Sequence, residues 1–579
     1  MSIDVQGRAS PHSTPAIVAR LPVTWGLIAL ACAIVAILLS LPLHLPVGPM
    51  YWDVVVYLDG AQRVLAGQIP SVDFFAPVGP IGYWLMALGE LIFPRGQPLL
   101  LVQWMFLLVT LPPLLPVIAA IERQSRARAV GLLLPFLVFQ LVPINVEQYA
   151  NFPGVDGYGI YNRQVTELLY VLAAALVFER RQSVLLFVIA WSCTALFLLK
   201  ITGFAAAGLL CAFAFAAGRV RLGVALAALA VLAGVLAGLE LTTGFVRAYV
   251  TDILSLLGMN EGLLLPRFLQ AASMHFGILG SGLLLVAALA TVDARLLRED
   301  AARVLDRPGL PAIAALIDRD VVWLAAFLAI GLFFESQNTG GQAFIFLWPV
   351  LFVIVARAPR LPALPMIVVV GLAAATALPP LVNVLHRTMR AAVGELKTVP
   401  VPVASLGRLG SANQKPEIID GAQALMASYR QFPEMYQSFA DGHRLPGYFL
   451  YADIEFQVAW LLATQDGVEA IRAYEARTGT HFGTILSLNF VNPFPTILRR
   501  EAPRRVAIGA DPYRAVPPPN AATLAAVEAT DLVLYPRCPI TTANMRLREI
   551  YAPALADHVS VELSPCWTGL VRPGLIAAN

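Results

Sequence analysis

Charge is what this sequence has least of. Asp, Glu, Lys and Arg make up only 13% of its 579 residues, against roughly 25% in an ordinary soluble protein. Hydrophobic residues make up 58%, and the mean hydropathy is +0.71. That balance identifies a polytopic membrane protein. The net charge of +3 comes without any basic tract, which excludes nucleic acid as a partner. Cysteine is also scarce, at five residues. No CxxC and no Cys/His cluster with zinc spacing occurs. Cys32, Cys193 and Cys211 lie in apolar segments as small packing residues. Cys538 and Cys566 lie in the polar C-terminal part and would pair if that part is exported, a point the sequence leaves open. There is no internal repeat.

What is there is a succession of apolar runs. Residues 1–20 read as a short cytoplasmic tail, and Leu21–Leu43 as a retained first span, since no small-residue cleavage site follows it. Further spans are expected near 98–120, 129–148, 164–179, 183–199, 201–218, 220–240, 274–292, 320–335, 343–357 and 362–382. That makes about eleven transmembrane helices. Ile81–Phe93 is apolar but short, and reads as an interfacial helix. Arginines decide the orientation. Arg123, Arg126 and Arg128, Arg180/Arg181, Arg219/Arg221, the run Arg295–Arg319 and Arg357/Arg360 all fall on one side. The positive-inside rule makes that side cytoplasmic, with the N-terminus inside and the C-terminal region periplasmic in a bacterial-type inner membrane. The opposite face then collects residues 43–97, 149–163, the turn at Lys200, 242–275 and the segment 335–342, all rich in Gly, Asn, Tyr and isolated charges.

Residues 383–579 have the composition of a soluble α/β domain. A polar connector over 383–415 leads to helical patterns over 417–440 and 466–478. Short β-type runs follow at Thr484–Phe490, Arg505–Ile508, Asp531–Tyr535 and Val559–Leu563, with a helix over Asn520–Ala529. This region carries no glycine-rich phosphate loop and no catalytic constellation.

The most informative stretch is WDVVVYLDGAQRVLAGQIPSVDFFAPVGPIGYW, Trp52 to Trp84, which places three aspartates and an arginine beside lipid-like segments. It resembles the first external loop of the GT-C superfamily of glycosyltransferases, such as protein O-mannosyltransferases and lipid A aminoarabinose transferases. The matching elements are Asp53 just after the first span, Tyr57 four residues on, Gly67, the stretch Pro77–Pro80 and the juxtamembrane helix Ile81–Phe93. More weakly, LLKITGFAAAG around Lys200 is similar to the family's lysine–glycine turn near the lipid phosphate. NTGGQAFIFLWP is similar to its late external turn. The chain departs from the pattern at Tyr161-Asn162-Arg163, where members carry an acid and Asp156 is the nearest one. It also lacks the pair of acids separated by one residue that metal-dependent members have, so no metal ligand and no cofactor is assigned.

The resemblance implies transfer of a monosaccharide from a polyprenyl-phosphate carrier to a periplasmic glycan, lipid or protein acceptor, with inversion. That chemistry needs a carboxylate to take the acceptor's proton and cations to hold the departing phosphate. Asp53 is the candidate catalytic base, with helix capping as its alternative role. Tyr57 and Asp73 are candidates for positioning the acceptor or the loop, although Asp73 has the alternative of holding its own turn. Asp59, six residues after Asp53, falls near the opposite helix face and reads as solvated. Lys200 and Arg163 are candidate phosphate ligands, against interfacial snorkelling or anchoring. Asp156, Asn162, Gln337, Asn338 and Gln342 are candidate sugar contacts. Arg247, Arg267 and His275 read as structural or headgroup-contacting residues. A transporter or flippase, or a non-catalytic assembly subunit, are the competing readings; the first is disfavoured by the lack of inverted repeats and of acids deep in the spans.

Overall fold

The computed structural model describes residues 22–76, 78–147, 152, 154–260, 264–307, 309–338, 340–444 and 453–575. The N-terminal tail, Pro77 of the proline-rich stretch, and residues 148–151 and Pro153 of the second external loop lie outside them.

The chain is an α-helical polytopic membrane protein with a small C-terminal sheet. Its first helix, α1 (Val23–Ser40), starts where Glu122 accepts the amides of Val23 (2.7 Å) and Thr24 (3.1 Å). This satisfies donors that the first helical turn leaves free. The chain then forms a two-residue strand β1 (Leu45–Pro46), a 3-10 turn at Tyr51–Asp53, α2 (Val54–Leu65) and α3 (Ile81–Ile92). At 12 residues α3 is about 18 Å long, too short for a bilayer core of roughly 30 Å. It buries Gly82, Tyr83, Met86 and Ala87 and exposes Leu88, Leu91 and Ile92, which fits an interfacial helix.

The bundle continues with α4 (Pro98–Trp104), α5 (Leu107–Gln124), α6 (Arg126–Leu141), α7 (Ile160–Phe178), α8 (Gln182–Leu199), α9 (Ile201–Ala216) and α10 (Leu222–Thr243). Next come α11 (Phe245–Met259), α12 (Leu264–Met274), α13 (Phe276–Val292), α14 (Ala294–Asp306), α15 (Leu310–Ile317), α16 (Asp320–Ser336), α17 (Trp348–Arg357) and α18 (Ala363–Glu395). Every segment expected to span contains a helix. Among the described residues, five stretches are each long and apolar enough to cross unaided: Val23–Ser40, Pro98–Gln124, Gln182–Leu199, Leu222–Thr243 and Ala363–Glu395. The pair α12–α13, bent by 84°, would make a sixth. The run expected over 343–357 forms only the ten-residue α17, because Ala343 and Phe344 turn through positive φ before it. Several of the arginines expected on one side sit at helix ends. There they tie helix ends together, as in Arg219–Asp318, Arg319–Asp300 and Arg357 with Asp293 and Asp320.

Several expectations for the C-terminal region are corrected. Residues 383–395 are not a polar connector, because α18 runs unbroken for 33 residues, about 50 Å. Its last turns therefore project well beyond a bilayer core and carry Arg387 outward. The helix expected over 417–440 is two, α19 (Pro416–Gln431) and α20 (Pro433–Asp441), because Pro433 cannot continue the first. The pattern at 466–478 is the end of the longer α21 (Ile454–Thr478), capped by Asp453. After α21 come the short α22 (Phe494–Leu498), α23 (Ala521–Glu528) and α24 (Thr542–Leu555). Strands β2 (Val399–Pro400) and β3 (Ala412–Gln414) join β1 in the order β1-β3-β2. A second sheet runs β4-β5-β7-β6, with β4 (Ile485–Ser487), β5 (Leu532–Pro536), β6 (Val559–Ser564) and β7 (Trp567–Val571). Only β4–β5 is parallel. Residues 505–508 are not a strand of this sheet, since their backbone pairs instead with Asp73 and Phe75 of the Trp52–Trp84 stretch, the opening loop. Cys538 and Cys566 form a disulfide between the end of β5 and the start of β7.

This C-terminal unit shares one hydrophobic core with the opening loop. Trp52 sits edge-on to Phe456 and Trp460, both at 5.9 Å, and Val54, Val55 and Phe494 belong to the same cluster. Backbone bonds stitch the two together, with Phe75 N to Val506 O (3.1 Å), Ile508 N to Phe75 O (3.1 Å) and Arg505 N to Asp73 O (2.6 Å).

Candidate functional site

Asp53 closes the 3-10 turn that follows Met50, whose φ of 51° reverses the chain after the first span. The turn is held by the second loop, at residues 154–157: Gly157 N donates to Pro49 O (3.1 Å), and Gly48 N to Val155 O (2.7 Å). These contacts require glycine. A Cβ on Gly157 would lie 2.1 Å from Met50 O, and one on Gly48 would lie 2.4 Å from Val155 O. Asp53 is thereby fixed against a backbone wall and faces a cavity of about 1080 Å³. Burial pushes its carboxyl up to about 8, the charge of Asp156 adds to the rise, and a hydrogen bond from the Trp52 side chain opposes it. A carboxyl with an affinity for protons in that range can accept one from a hydroxyl that is itself losing it. Asp53 makes no side-chain cap to α2, so the capping role is not the one it plays.

Tyr57, one helical turn on, lines the same cavity, and its hydroxyl is buried without a hydrogen-bond partner among the described residues. Lys200 arrives from the break between α8 and α9. It lines the cavity, donates to Asn162 Oδ1 (2.7 Å) and lies 4.6 Å above the Tyr161 ring. Burial lowers its ammonium to about 7, with the charge of Glu335 acting the other way. The opening loop is brought onto this break by Gly79, whose N donates to Leu199 O (2.9 Å) and whose Cβ, if it had one, would lie 2.0 Å from Leu198 O. One carboxyl and one amine, from segments nearly 150 residues apart in sequence, thus face a single space. Ile201, Ile253, Leu256, Leu257, Met274 and Ile278 give that space an apolar wall.

The other expected residues divide. Gln337 and Asn338 line the cavity, Asn338 accepting from Thr202 Oγ1 (3.1 Å). Asn162 is not part of the lining but accepts from Lys200, which is. Gln342 is fully buried away from the lining, with both amide atoms lacking partners. Arg163 does not line the cavity. Its side chain is fully buried, Nη2 donates to Asp156 O (2.9 Å), and Asp156 Oδ1 is 3.9 Å away. That placement differs from the phosphate contact expected of it, because the guanidinium faces Asp156 and not the cavity. Asp156 is equally committed. It accepts from Asn145 N (2.9 Å) and meets Arg387 of α18 at 3.3 Å, so it joins loop to helix and does not present itself as a sugar contact. Asp73 accepts from Ile69 N (2.8 Å) and pairs with Arg504 (3.1 Å), which makes it a clamp on its own turn and on the C-terminal unit. Asp59 is not solvated. It is buried against Arg63 at 2.8 Å, and Arg63 in turn donates to Pro503 O (2.7 Å).

Some cavity residues carried no sequence signal strong enough to single them out. Phe490, Asp511 and Arg514 of the C-terminal unit form part of the lining, so the region that has no motif of its own roofs the site. Arg267 lines it as well and donates to Asn260 Oδ1 (3.0 Å). Glu147, His275 and Glu335 converge on one side of it and are, among the described residues, the group whose donor atoms could hold a metal ion. Glu147, in a loop, is raised to about 7 by burial, the Gly340 amide opposing and the Asp156 charge adding to the shift. A lone His beside a kink and two Glu at the edges of apolar runs read as ordinary interface residues, and only their convergence distinguishes them.

No protein-family model and no curated protein sequence matches the chain. Among solved structures it is similar to ArnT from Cupriavidus metallidurans in the apo state, at 12% identity and a TM-score of 0.39. It is similar also to ArnT from the same organism bound to undecaprenyl phosphate, at 13% identity and a TM-score of 0.37. Both alignments cover 96% of this chain and 99% of the other.

Proposed function

We propose that this protein is a membrane glycosyltransferase of the GT-C type, which moves a monosaccharide from a polyprenyl-phosphate carrier to a glycan, lipid or protein acceptor on the periplasmic face. The observation that carries the reading is the single cavity into which Asp53 and Lys200 both open, with an apolar wall beside them. Asp53 takes the proton of the acceptor hydroxyl as its oxygen bonds to the anomeric carbon. The bond from that carbon to the phosphate oxygen breaks, and the polyprenyl phosphate departs with the electron pair. Lys200 balances the charge that grows on the phosphate. The isoprenoid tail lies along Ile253, Leu256 and Leu257, and Tyr57, Gln337 and Asn338 face the sugar or the acceptor. The disulfide between Cys538 and Cys566 supports placing the C-terminal unit in an oxidising, non-cytoplasmic compartment, in line with the arginine distribution.

Asp53→Asn tests the reading. Transfer from purified polyprenyl-phosphate sugars should fall by about 10²–10⁴-fold, the usual contribution of a general base. The protein should keep its elution profile and thermal stability. An Asp53→Asn protein with normal transfer removes Asp53 from the reaction.

A further inference from the structure

Sugar transfer as derived above leaves a convergent set of titratable side chains in the cavity unused. Glu147 follows α6, His275 occupies the bend between α12 and α13, and Glu335 ends α16. The three lie far apart in sequence yet meet at one point of the lining. His275 Nε2 is 3.6 Å from Glu147 Oε1 and 3.7 Å from Glu335 Oε2, and one donor atom from each residue lies within 4.8 Å of the others.

These spacings are wrong for a hydrogen-bonded Glu–His–Glu network, whose partners would stand about 2.7–3.0 Å apart. They suit ligands around an ion. Metal–ligand bonds of about 2.0–2.2 Å set neighbouring donors roughly 3.0–3.5 Å apart in octahedral or tetrahedral shells, so the two contacts of His275 need to close by only a few tenths of an ångström, and the two carboxylates, within 4.8 Å of each other, draw in around the ion. Glu335 is the second observation. Its side chain is fully buried, and neither carboxylate oxygen has a hydrogen bond of ordinary geometry among the described residues, the amides of Ala343 and Phe344 offering it only loose backbone contact. Lys200 acts on it only at longer range and forms no ion pair with it. A buried carboxylate without such partners is costly unless a cation compensates it. Its position is reserved by Gly341, where a Cβ would lie 2.6 Å from Oε2 and 2.7 Å from Oε1. Glu147 is aimed by the Gly340 amide, which donates to its Oε2 at 3.1 Å. The His275 ring is held edge-on against Phe344, with centroids 5.4 Å apart.

We propose that Glu147, His275 and Glu335 bind one divalent transition-metal cation, zinc or manganese, in the wall of the cavity. One imidazole and two carboxylates form a borderline donor set that favours such ions over calcium or magnesium. Three protein ligands leave a coordination position open toward the cavity, as catalytic rather than structural metal sites do. Binding of the ion follows from these side chains alone and holds whichever reaction the cavity performs.

The test uses full-length protein in detergent or nanodiscs, purified on a tag other than polyhistidine and stripped with a chelator. Titration with Zn²⁺ or Mn²⁺ should load one ion per chain. X-ray absorption on the loaded protein should show a shell of one imidazole nitrogen with oxygens. His275→Ala and Glu335→Gln should weaken binding by about tenfold or more, by analogy with the loss on disturbing metal surroundings. Gly341→Ala should do the same by displacing the Glu335 carboxylate. Absence of saturable binding to the wild-type protein, or a first shell without imidazole, overturns the proposal even if every variant fails to fold. Because the readout is metal content and not transfer, its failure is distinguishable from failure of the glycosyltransferase reading.

Discussion

Replacing Asp156 by Asn separates a structural acid from a sugar ligand. The carboxylate is buried and faces Arg163 at 3.9 Å and Arg387 at 3.3 Å, whose side chains are 0% and 9% exposed. At an effective dielectric of about 20 these pairs are worth roughly 4 and 5 kcal/mol before desolvation is counted. Asparagine keeps the shape and can still accept the Asn145 amide, but it leaves two buried guanidinium groups without their counter-charge. The net cost of breaking such a buried pair is about 3–5 kcal/mol. Spread over a chain of 579 residues, with an unfolding entropy near 2.1 cal/mol/K per residue, that cost lowers the melting temperature by roughly 2–4 °C. The assay is a thermal scan of detergent-purified protein, run beside donor binding. The expected result is a lower melting temperature for Asp156→Asn, with donor affinity preserved at temperatures where the variant is folded. Wild-type stability combined with a large loss of donor affinity would refute the reasoning and return Asp156 to the sugar site.

Two further expectations follow from the same site and fold. Asp53 must be unprotonated to act as a base, so with its carboxyl near 8 the rate falls as the pH drops through that value. Lys200 must be protonated to hold phosphate, so with its amine near 7 the rate also falls as the pH rises. The pH profile of kcat/KM should therefore be a bell centred between these values. Lys200→Arg should keep the acid limb and lose the basic one, and a profile flat from about pH 6 to 9 contradicts the assignment. Cys538→Ser opens a loop of 28 residues, which in the chain-entropy account costs about 3.5 kcal/mol. Limited proteolysis should then cut the 530–570 region faster while the helical bundle stays intact, and unchanged protection counts against a stabilising role.

Local signals were legible wherever one segment decided its own fate. A run such as Val23–Ser40 must be a helix in lipid because every backbone group has to be satisfied internally. Ile81–Ile92 is too short to cross whatever surrounds it. Asp53 stood out through the likeness of its loop to the GT-C pattern, with helix capping as its alternative. Other side chains show where a single segment stops being informative. Asp59, Asp156 and Arg163 have the residue types that sugar and phosphate chemistry wants, yet Asp59 pairs with Arg63, itself tied to Pro503 O, Arg163 donates to Asp156 O, and Asp156 meets Arg387 of α18. Asp73 holds its own turn through Ile69 N and reaches Arg504.

The sequence by itself determined that this chain lives in a bilayer, which end of each helix carries arginine, and that a structured acidic loop follows the first span. These are properties of composition and of single segments, set by the cost of placing charge and backbone in hydrocarbon. Only the tertiary structure decided that the C-terminal unit roofs the cavity, that α18 delivers Arg387 to the second loop, and that Glu147, His275 and Glu335 meet. Those outcomes depend on how helices pack and how far α18 projects, and on glycines at 48, 79, 157 and 341 that admit close approach. No window of sequence holds that information, because each contact joins residues whose neighbours in the chain look ordinary.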